Sequence, residues 1–305
     1  MTSEWQIGVD LGGTKTEVIL MDSASREHFR MRLPTPHGDY QGTLATIERL
    51  VHEAEFHAGC SGLPVGVGIP GSVSRLTGRV KNGNSTWLNG QPMAEDLARI
   101  LCRPVTLTND ANCLALSEAT DGAGADSPVV FAAILGTGCG AGISIGGQLL
   151  TGPNGLAGEW GHNPLPWTNQ RELDERPCFC GRRGCNETFL SGTGMALTHQ
   201  LRWQEMRTSQ QVVAAAAKGD IRAQETLDLY LDHLARGLAS VINLLDPDVI
   251  VLGGGLSNLE AVYQQLPRRL PDYVFGGECD TPVVRAIHGD SSGVRGAAWL
   301  AVKPA

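Results

Sequence analysis

The sequence predicts an α/β fold of two domains with a cleft between them. Three observations lead there. A short apolar run that ends in a glycine turn and continues as a second strand occurs twice, at residues 6–20 and 129–145. Segments of helical period lie between such strands. A chain of 305 residues that is 42% hydrophobic and 18% charged can bury cores of that size.

The first unit opens on Gln6-Ile7-Gly8-Val9 and runs into Asp10-Leu11-Gly12-Gly13-Thr14-Lys15. Residues 16–20 read as the return strand of a hairpin and 28–33 as a third strand. Residues 43–58 place Leu44, Ile47, Leu50, Val51 and Ala54 at helical spacing. Residues 65–69 are a short buried strand stopped by Pro70-Gly71. Residues 105–107 read as another strand and 112–119 as a helix.

The second unit starts near residue 128. Residues 129–135 are a strongly apolar strand that ends in Gly136-Thr137-Gly138-Cys139-Gly140-Ala141-Gly142, with 143–145 as the return strand. Residues 210–245 read as helix, 248–252 as a buried strand feeding Gly253-Gly254-Gly255, and 291–302 as a closing helix. The expected domains are a small one at 1–118, with the terminal helix of 291–305 packing back on it, and a larger one at 119–290 that carries the cysteine cluster.

Charge and composition narrow the function. A net charge of −8 with scattered basic residues argues against a nucleic-acid surface. Apolar runs fall short of the roughly 20 residues that span a bilayer, and the N-terminus lacks the pattern of a secretory signal. A cytoplasmic protein without nucleic-acid or membrane partners is expected. The 39 glycines exceed the usual share of about 7%, as tight turns and close approaches to a ligand would require.

Glycine turns expose backbone N–H groups and leave room for a phosphate. Gly12-Gly13-Thr14 adds a hydroxyl and Lys15 a positive charge, while residues 136–142 offer a second cradle. Neither has P-loop spacing, and each precedes a strand rather than a helix, unlike a dinucleotide fingerprint. Either alone could be a plain hairpin; equivalent turns in two units favour a nucleotide. Asp10 could hold Mg²⁺ through water. Gly253, Gly254 and Gly255 would let backbone lie flat against an adenosine, or form an ordinary strand-to-helix turn. Asp110 suits a base that accepts a hydroxyl proton during phosphoryl transfer, and it equally suits a helix cap. His162 with Cys178, Cys180 and Cys185 makes a Cys₃His zinc set, the bland alternative being buried free thiols. Zinc there would gather Glu159 and Glu187, two carboxylates suited to sugar hydroxyls.

These motifs together resemble the ROK kinases (repressor, open reading frame, kinase) of the actin-like ATPase superfamily. The resemblance rests on Asp10-Leu-Gly-Gly-Thr-Lys15, Gly68-Ile-Pro-Gly71, Asn109-Asp-Ala-Asn112, Gly136-Thr-Gly-Cys-Gly140, Gly158-Glu-Trp-Gly-His162, Cys178 to Cys185 with Glu187, and Asp246 to Gly255. It implies an actin-like (ribonuclease H-like) fold with the active site in the interdomain cleft. It implies Asp110 as base, and Gly71, Asn84, Asn109, Asp110, Glu159, His162 and Glu187 as the sugar site. It implies Asp10, Gly12, Gly13, Thr14, Lys15, Gly136, Thr137, Gly138, Gly140 and the triplet at 253–255 around ATP and Mg²⁺. His162 would serve both zinc and sugar, and the chain would form a homodimer. Residues 82–90, 159–167 and 275–279 are similar to family members that phosphorylate D-fructose and also mannose, so fructokinase activity is the expectation. A kinase for glucose, N-acetylglucosamine or N-acetylmannosamine is the alternative. A sugar-responsive repressor is disfavoured, because the first phosphate turn begins at Asp10 and leaves no room for a helix-turn-helix.

Overall fold

The structure is a computed structural model that describes residues 5–302. The chain begins with β1 (Trp5–Leu11), β2 (Lys15–Asp22), β3 (Glu27–Pro34), α1 (Tyr40–Ala58), β4 (Val65–Ile69), the short pair β5 (Ser72–Val73) and β6 (Val80–Lys81), α2 (Met93–Ile100), β7 (Val105–Asn109) and α3 (Asp110–Asp121). Strands β1 to β4 and β7 form one sheet in the order β3-β2-β1-β4-β7. β1 pairs antiparallel with β2, and β4 lies parallel to both β1 and β7. Strand β4 is buried along its whole length, as a central parallel strand covered on both faces must be. The edge strand β3 carries Glu27, Arg30 and Arg32, charges that discourage pairing with another chain. Helix α1 starts where the Asp39 carboxylate accepts the Gly42 N–H at 2.9 Å and ends at Gly59 with φ of 67°. Its stripe of Leu44, Ile47, Leu50, Val51 and Ala54 enters the core.

The chain continues with β8 (Val129–Leu135), β9 (Cys139–Ile145), β10 (Gln148–Leu149), α4 (Gln170–Asp174), α5 (Glu187–Leu190), α6 (Gly192–Trp203), α7 (Ser209–Ala217), α8 (Ile221–Leu245), β11 (Val249–Gly253), α9 (Glu260–Arg269) and β12 (Val283–Arg285). The second sheet runs β10-β9-β8-β11-β12. A hairpin followed by two parallel additions is the order of the first sheet as well, so the duplication heard in the two glycine turns extends to whole sheets. The helix expected over 210–245 is two helices. Gly219 takes φ of 89°, which a continuous helix cannot contain. Asp220 then caps α8 by accepting the Ala223 N–H at 3.1 Å.

The last element, α10 (Ser292–Val302), packs against β1, β4 and α3. Glycine makes this approach possible. A Cβ added to Gly8 would lie 2.2 Å from the Val294 carbonyl oxygen, one on Gly66 2.1 Å from that of Ala297, and one on Gly296 1.8 Å from that of Cys113. Gly8 and Gly66 are cross-strand partners, so two small residues side by side form the trough in which α10 lies. The buried Glu118 carboxylate of α3 accepts the N–H groups of Ala123, Ile287 and His288 and the Ser292 hydroxyl, which fixes the entry to α10.

By compactness the chain forms two units. The first comprises the chain up to Pro128, Gly142–Ala157 and the chain from Ile287 onward; the second comprises Val129–Ala141 and Gly158–Ala286. Among the described residues no helix is long and apolar enough to cross a membrane.

Candidate active site

In the first unit the chemistry gathers at the carboxyl ends of parallel neighbours, the usual ligand edge of an α/β sheet. β1 places Asp10 opposite Gly68 of β4, and β4 places Ile69 opposite Asn109 of β7. The Asn109 side chain caps α3 by accepting the Asn112 N–H at 2.7 Å. Asp110 is therefore relieved of the capping role, and its carboxylate is exposed at the first helical position with one oxygen 2.8 Å from the Ala111 N–H. The turn between β1 and β2 is closed by the Gly12 N–H on the Lys15 carbonyl at 3.0 Å, with Lys15 exposed at the start of β2. Gly71, with φ of 93°, is wedged against Lys81 and Gly83 backbone, and Asn84 is exposed nearby in sequence.

Burial, with the charges of Asp110 and Glu17, pushes Asp10 up to about 7, while Lys15 and Arg32 pull it down. The unfolded chain ionises an aspartate near 3.9. Between about pH 4 and 7 the unfolded state releases this proton and the folded state keeps it, so Asp10 lowers stability progressively as pH rises through that window. Asp10→Asn removes the burden. Its gain in Tm over the parent protein is expected to be largest at pH 8 and to shrink toward pH 5; an equal gain at both, followed by calorimetry, would contradict the assignment.

In the second unit the turn from β8 to β9 is shorter than the glycine run suggests. Only Gly136, Thr137 and Gly138 lie outside the strands; Cys139 and Ala141 are already buried in β9, and Gly140 is a strand residue. The Cys139 peptide is gripped from two sides. Its N–H donates to Glu187 Oε2 at 3.0 Å, and its carbonyl lies where a Cβ on Gly161 would come within 1.9 Å. Gly161 belongs to the helical turn Glu159–His162, so that close approach fixes where Glu159 and His162 stand. Gly254, with φ of 80°, is similarly pressed on Leu135 backbone, 2.7 Å from any added Cβ, and so seats the triplet Gly253, Gly254 and Gly255 beside the start of the turn.

The ligand atoms of His162, Cys178, Cys180 and Cys185 all lie within 4.8 Å of one another. His162 Nδ1 is 3.5 Å from Cys178 Sγ, and Cys180 Sγ is 3.6 Å from Cys185 Sγ. A disulfide needs about 2.05 Å. A tetrahedral zinc site with bonds of about 2.0–2.3 Å has edges of about 3.6–3.8 Å; the His162–Cys178 and Cys180–Cys185 pairs match such edges, and three thiols with an imidazole are a donor set suited to zinc. Gly181 and Gly184 adopt φ of 86° and 69° to fold the loop around the four donors. Without a cation the thiols burden one another: burial first, then Cys180 and Cys178, push Cys185 up to about 12. His162 Nδ1 faces the sulfurs, which leaves Nε2 on the far side of the ring. Cys185 precedes Asn186, whose N–H reaches the Asn163 carbonyl at 2.8 Å, so the segment after His162 and the start of α5 are stitched together.

Sequence reasoning placed the donors and the carboxylates but missed Gly161 and Glu118. The signal for Gly161 was a glycine in the middle of a functional motif; for Glu118 it was a carboxylate on the inward face of a mostly apolar helix.

Duplicated five-stranded sheets, each with a glycine turn after its central strand, define an actin-like ATPase fold. The sequence matches the ROK family over residues 6–303, and the chain belongs to that family; its class is that of the ROK sugar kinases. It is 39% identical over 297 residues to an N-acetyl-D-glucosamine kinase of Yersinia pseudotuberculosis, covering 96% of this chain and 97% of that one. Among solved structures, a ROK hexokinase from Thermus thermophilus superposes with a TM-score of 0.87 at 29% identity, over 99% of this chain and all of that one. A ROK family glucokinase from Streptomyces griseus, in complex with glucose and AMPPNP, gives 0.79 at 27% identity over 97% and 98% of the two chains.

Proposed function

We propose that the protein transfers the γ-phosphoryl group of ATP to a hydroxyl of a hexose. The observation that carries this reading is Asp110, a carboxylate freed from helix capping by Asn109 at the same sheet edge as Asp10 and the first glycine turn. Asp110 accepts the proton of the attacking hydroxyl as the new O–P bond forms and ADP leaves with the electrons of the broken one. Asn109, Glu159, His162 and Glu187, with Gly71 and Asn84, take the sugar hydroxyls. Asp10, Gly12, Gly13, Thr14, Lys15, Gly136, Thr137, Gly138 and Gly140 hold the phosphates and Mg²⁺, with Gly253, Gly254 and Gly255 against the adenosine. Zinc in the set His162, Cys178, Cys180 and Cys185 shapes the sugar side, and a homodimer is the assembly consistent with this reading.

The sugar we infer is N-acetyl-D-glucosamine, supported by curated relatives at 39% identity along nearly the whole chain. D-fructose is the second reading, supported by the segments at 82–90, 159–167 and 275–279. One acetamido group separates the two, and a site built to hydrogen-bond such a group rejects a sugar without it strongly. ADP release measured over a panel of hexoses and amino sugars is expected to give the highest kcat/KM for N-acetylglucosamine. A preference for fructose with mannose second would replace the first reading by the second, and no ADP release with any sugar would remove both.

A further inference from the structure

The two glycine turns are fastened by the same device. In the first unit, Thr35 lies just past the end of β3, and its N–H donates to the Thr14 carbonyl at 3.0 Å while its hydroxyl donates to the Gly12 carbonyl at 2.8 Å. In the second unit, the first residues of α6 do the same work. The Gly192 N–H donates to the Gly136 carbonyl at 2.7 Å, and the Thr193 hydroxyl reaches the Thr137 carbonyl at 3.1 Å while also meeting Ser191 Oγ at 2.8 Å. Each turn thus has two carbonyls drawn back onto one backbone N–H and one threonine hydroxyl.

A peptide unit is rigid and planar, so turning its carbonyl one way turns the following N–H the other. Tying back the Gly12 carbonyl directs the Gly13 N–H outward, and tying back those of Gly136 and Thr137 directs the N–H groups of Thr137 and Gly138 outward. None of these three N–H groups meets a protein acceptor among the described residues. Thr137 and Gly138 are exposed and Gly13 is half-buried. Untied, a glycine peptide would rotate freely.

We propose that Thr35 and Thr193 are positioning residues for the nucleotide: each hydroxyl anchors a glycine turn so that its N–H groups stand ready for phosphate oxygens. The proposal rests on the kinase reading. It assigns the two residues no contact with ATP and no role in holding the sugar. It also treats them as counterparts in the duplicated units, although one follows a strand and the other opens a helix.

The test uses Thr35→Val and Thr193→Val, which keep the shape and remove the hydroxyl, with Thr35→Ser and Thr193→Ser, which keep it. Calorimetric titration with AMPPNP is expected to show each valine variant binding about 3- to 10-fold more weakly, the loss of one hydrogen bond, and each serine variant within about two-fold of the parent. KM for ATP should rise with kcat nearly kept, and hexose affinity should not change. Thr193 is exposed, so its valine variant tests the idea even if Thr35→Val, which also deprives the Thr16 hydroxyl of a partner, folds poorly; Ser191, which Thr193 also meets, keeps the Gly194 N–H and the Glu187 carbonyl as partners. Unchanged AMPPNP affinity in folded valine variants overturns the proposal and leaves the kinase reading intact. So does a parallel fall in AMPPNP affinity, hexose affinity and Tm, which would mean a structural role alone. A parent protein that binds no AMPPNP removes the kinase reading and this proposal together.

Discussion

Asp110→Asn is expected to lower kcat by about 10²- to 10⁴-fold, the range that positioned proton acceptors supply, while the protein folds and binds ATP as before. The substitution is nearly isosteric. Its amide oxygen can still accept the Ala111 N–H, which Asp110 Oδ1 meets at 2.8 Å, and α3 keeps its cap because that belongs to Asn109. The change therefore removes a negative charge and a proton acceptor while keeping the helix cap and the Ala111 contact. Asparagine cannot take the proton of the attacking hydroxyl, so the loss should appear in kcat with KM for the hexose little altered, the sign of an interaction made in the transition state. Asp110 is also one of the charges that raise Asp10, so its removal eases ionisation of Asp10 and should not weaken Mg²⁺–nucleotide binding by that route. Steady-state kinetics beside AMPPNP titration and thermal melting separate these quantities. A variant that keeps kcat within a few-fold would strip Asp110 of the role of base.

The contrast between Asp110 and its surroundings shows what a sequence exposes and what it hides. Glycine turns after apolar strands are local signals, and both were legible, as was the cysteine spacing. The sheet order β3-β2-β1-β4-β7 and its repeat β10-β9-β8-β11-β12 were not, because strand order depends on pairings between distant residues. Gly8 and Gly66 look like weak strand residues in sequence; they are the floor beneath α10, which only the three-dimensional approach of residues more than 200 apart in sequence reveals. The second glycine run suggested a long loop because glycine disfavours strands, yet burial of Cys139 and Ala141 extends β9 into it. Sugar identity was hidden for another reason. Discrimination among hexoses lies in a few groups facing one substituent, so motif similarity pointed to fructose while the relatives similar along the whole chain are N-acetyl-D-glucosamine kinases.

Removing the metal is expected to act on the other kinetic constant. The protein as purified should hold about one zinc per chain, and a strong chelator should strip it. The four donors then stand within 4.8 Å of one another with no cation between them, and burial with the neighbouring thiols leaves Cys185 protonated up to about 12. Loss of the four metal bonds that tie the loop together favours its loosening. Its movement reaches Glu187 and Glu159, the carboxylates proposed for the sugar, along short paths. Glu187 lies on the turn opened by Cys185, whose carbonyl accepts the Thr188 N–H at 2.9 Å, and Glu159 shares its single helical turn with His162. Mutating the groups that support a metal's ligands costs about 10- to 100-fold in metal affinity or activity, so loss of the metal should raise KM for the hexose clearly while kcat at saturating sugar falls far less than in Asp110→Asn. Binding that favours the folded state also stabilises it, so Tm should drop on stripping and recover when zinc is restored. Thiol titration gives an independent check: the exposed Cys180 should become reactive only after chelation, while the buried Cys185, held high, stays slow. Metal analysis that finds no zinc, or a stripped protein with unchanged hexose KM and Tm, would dissolve the link between the cysteine loop and the sugar site and leave the four donors as a cluster of free side chains.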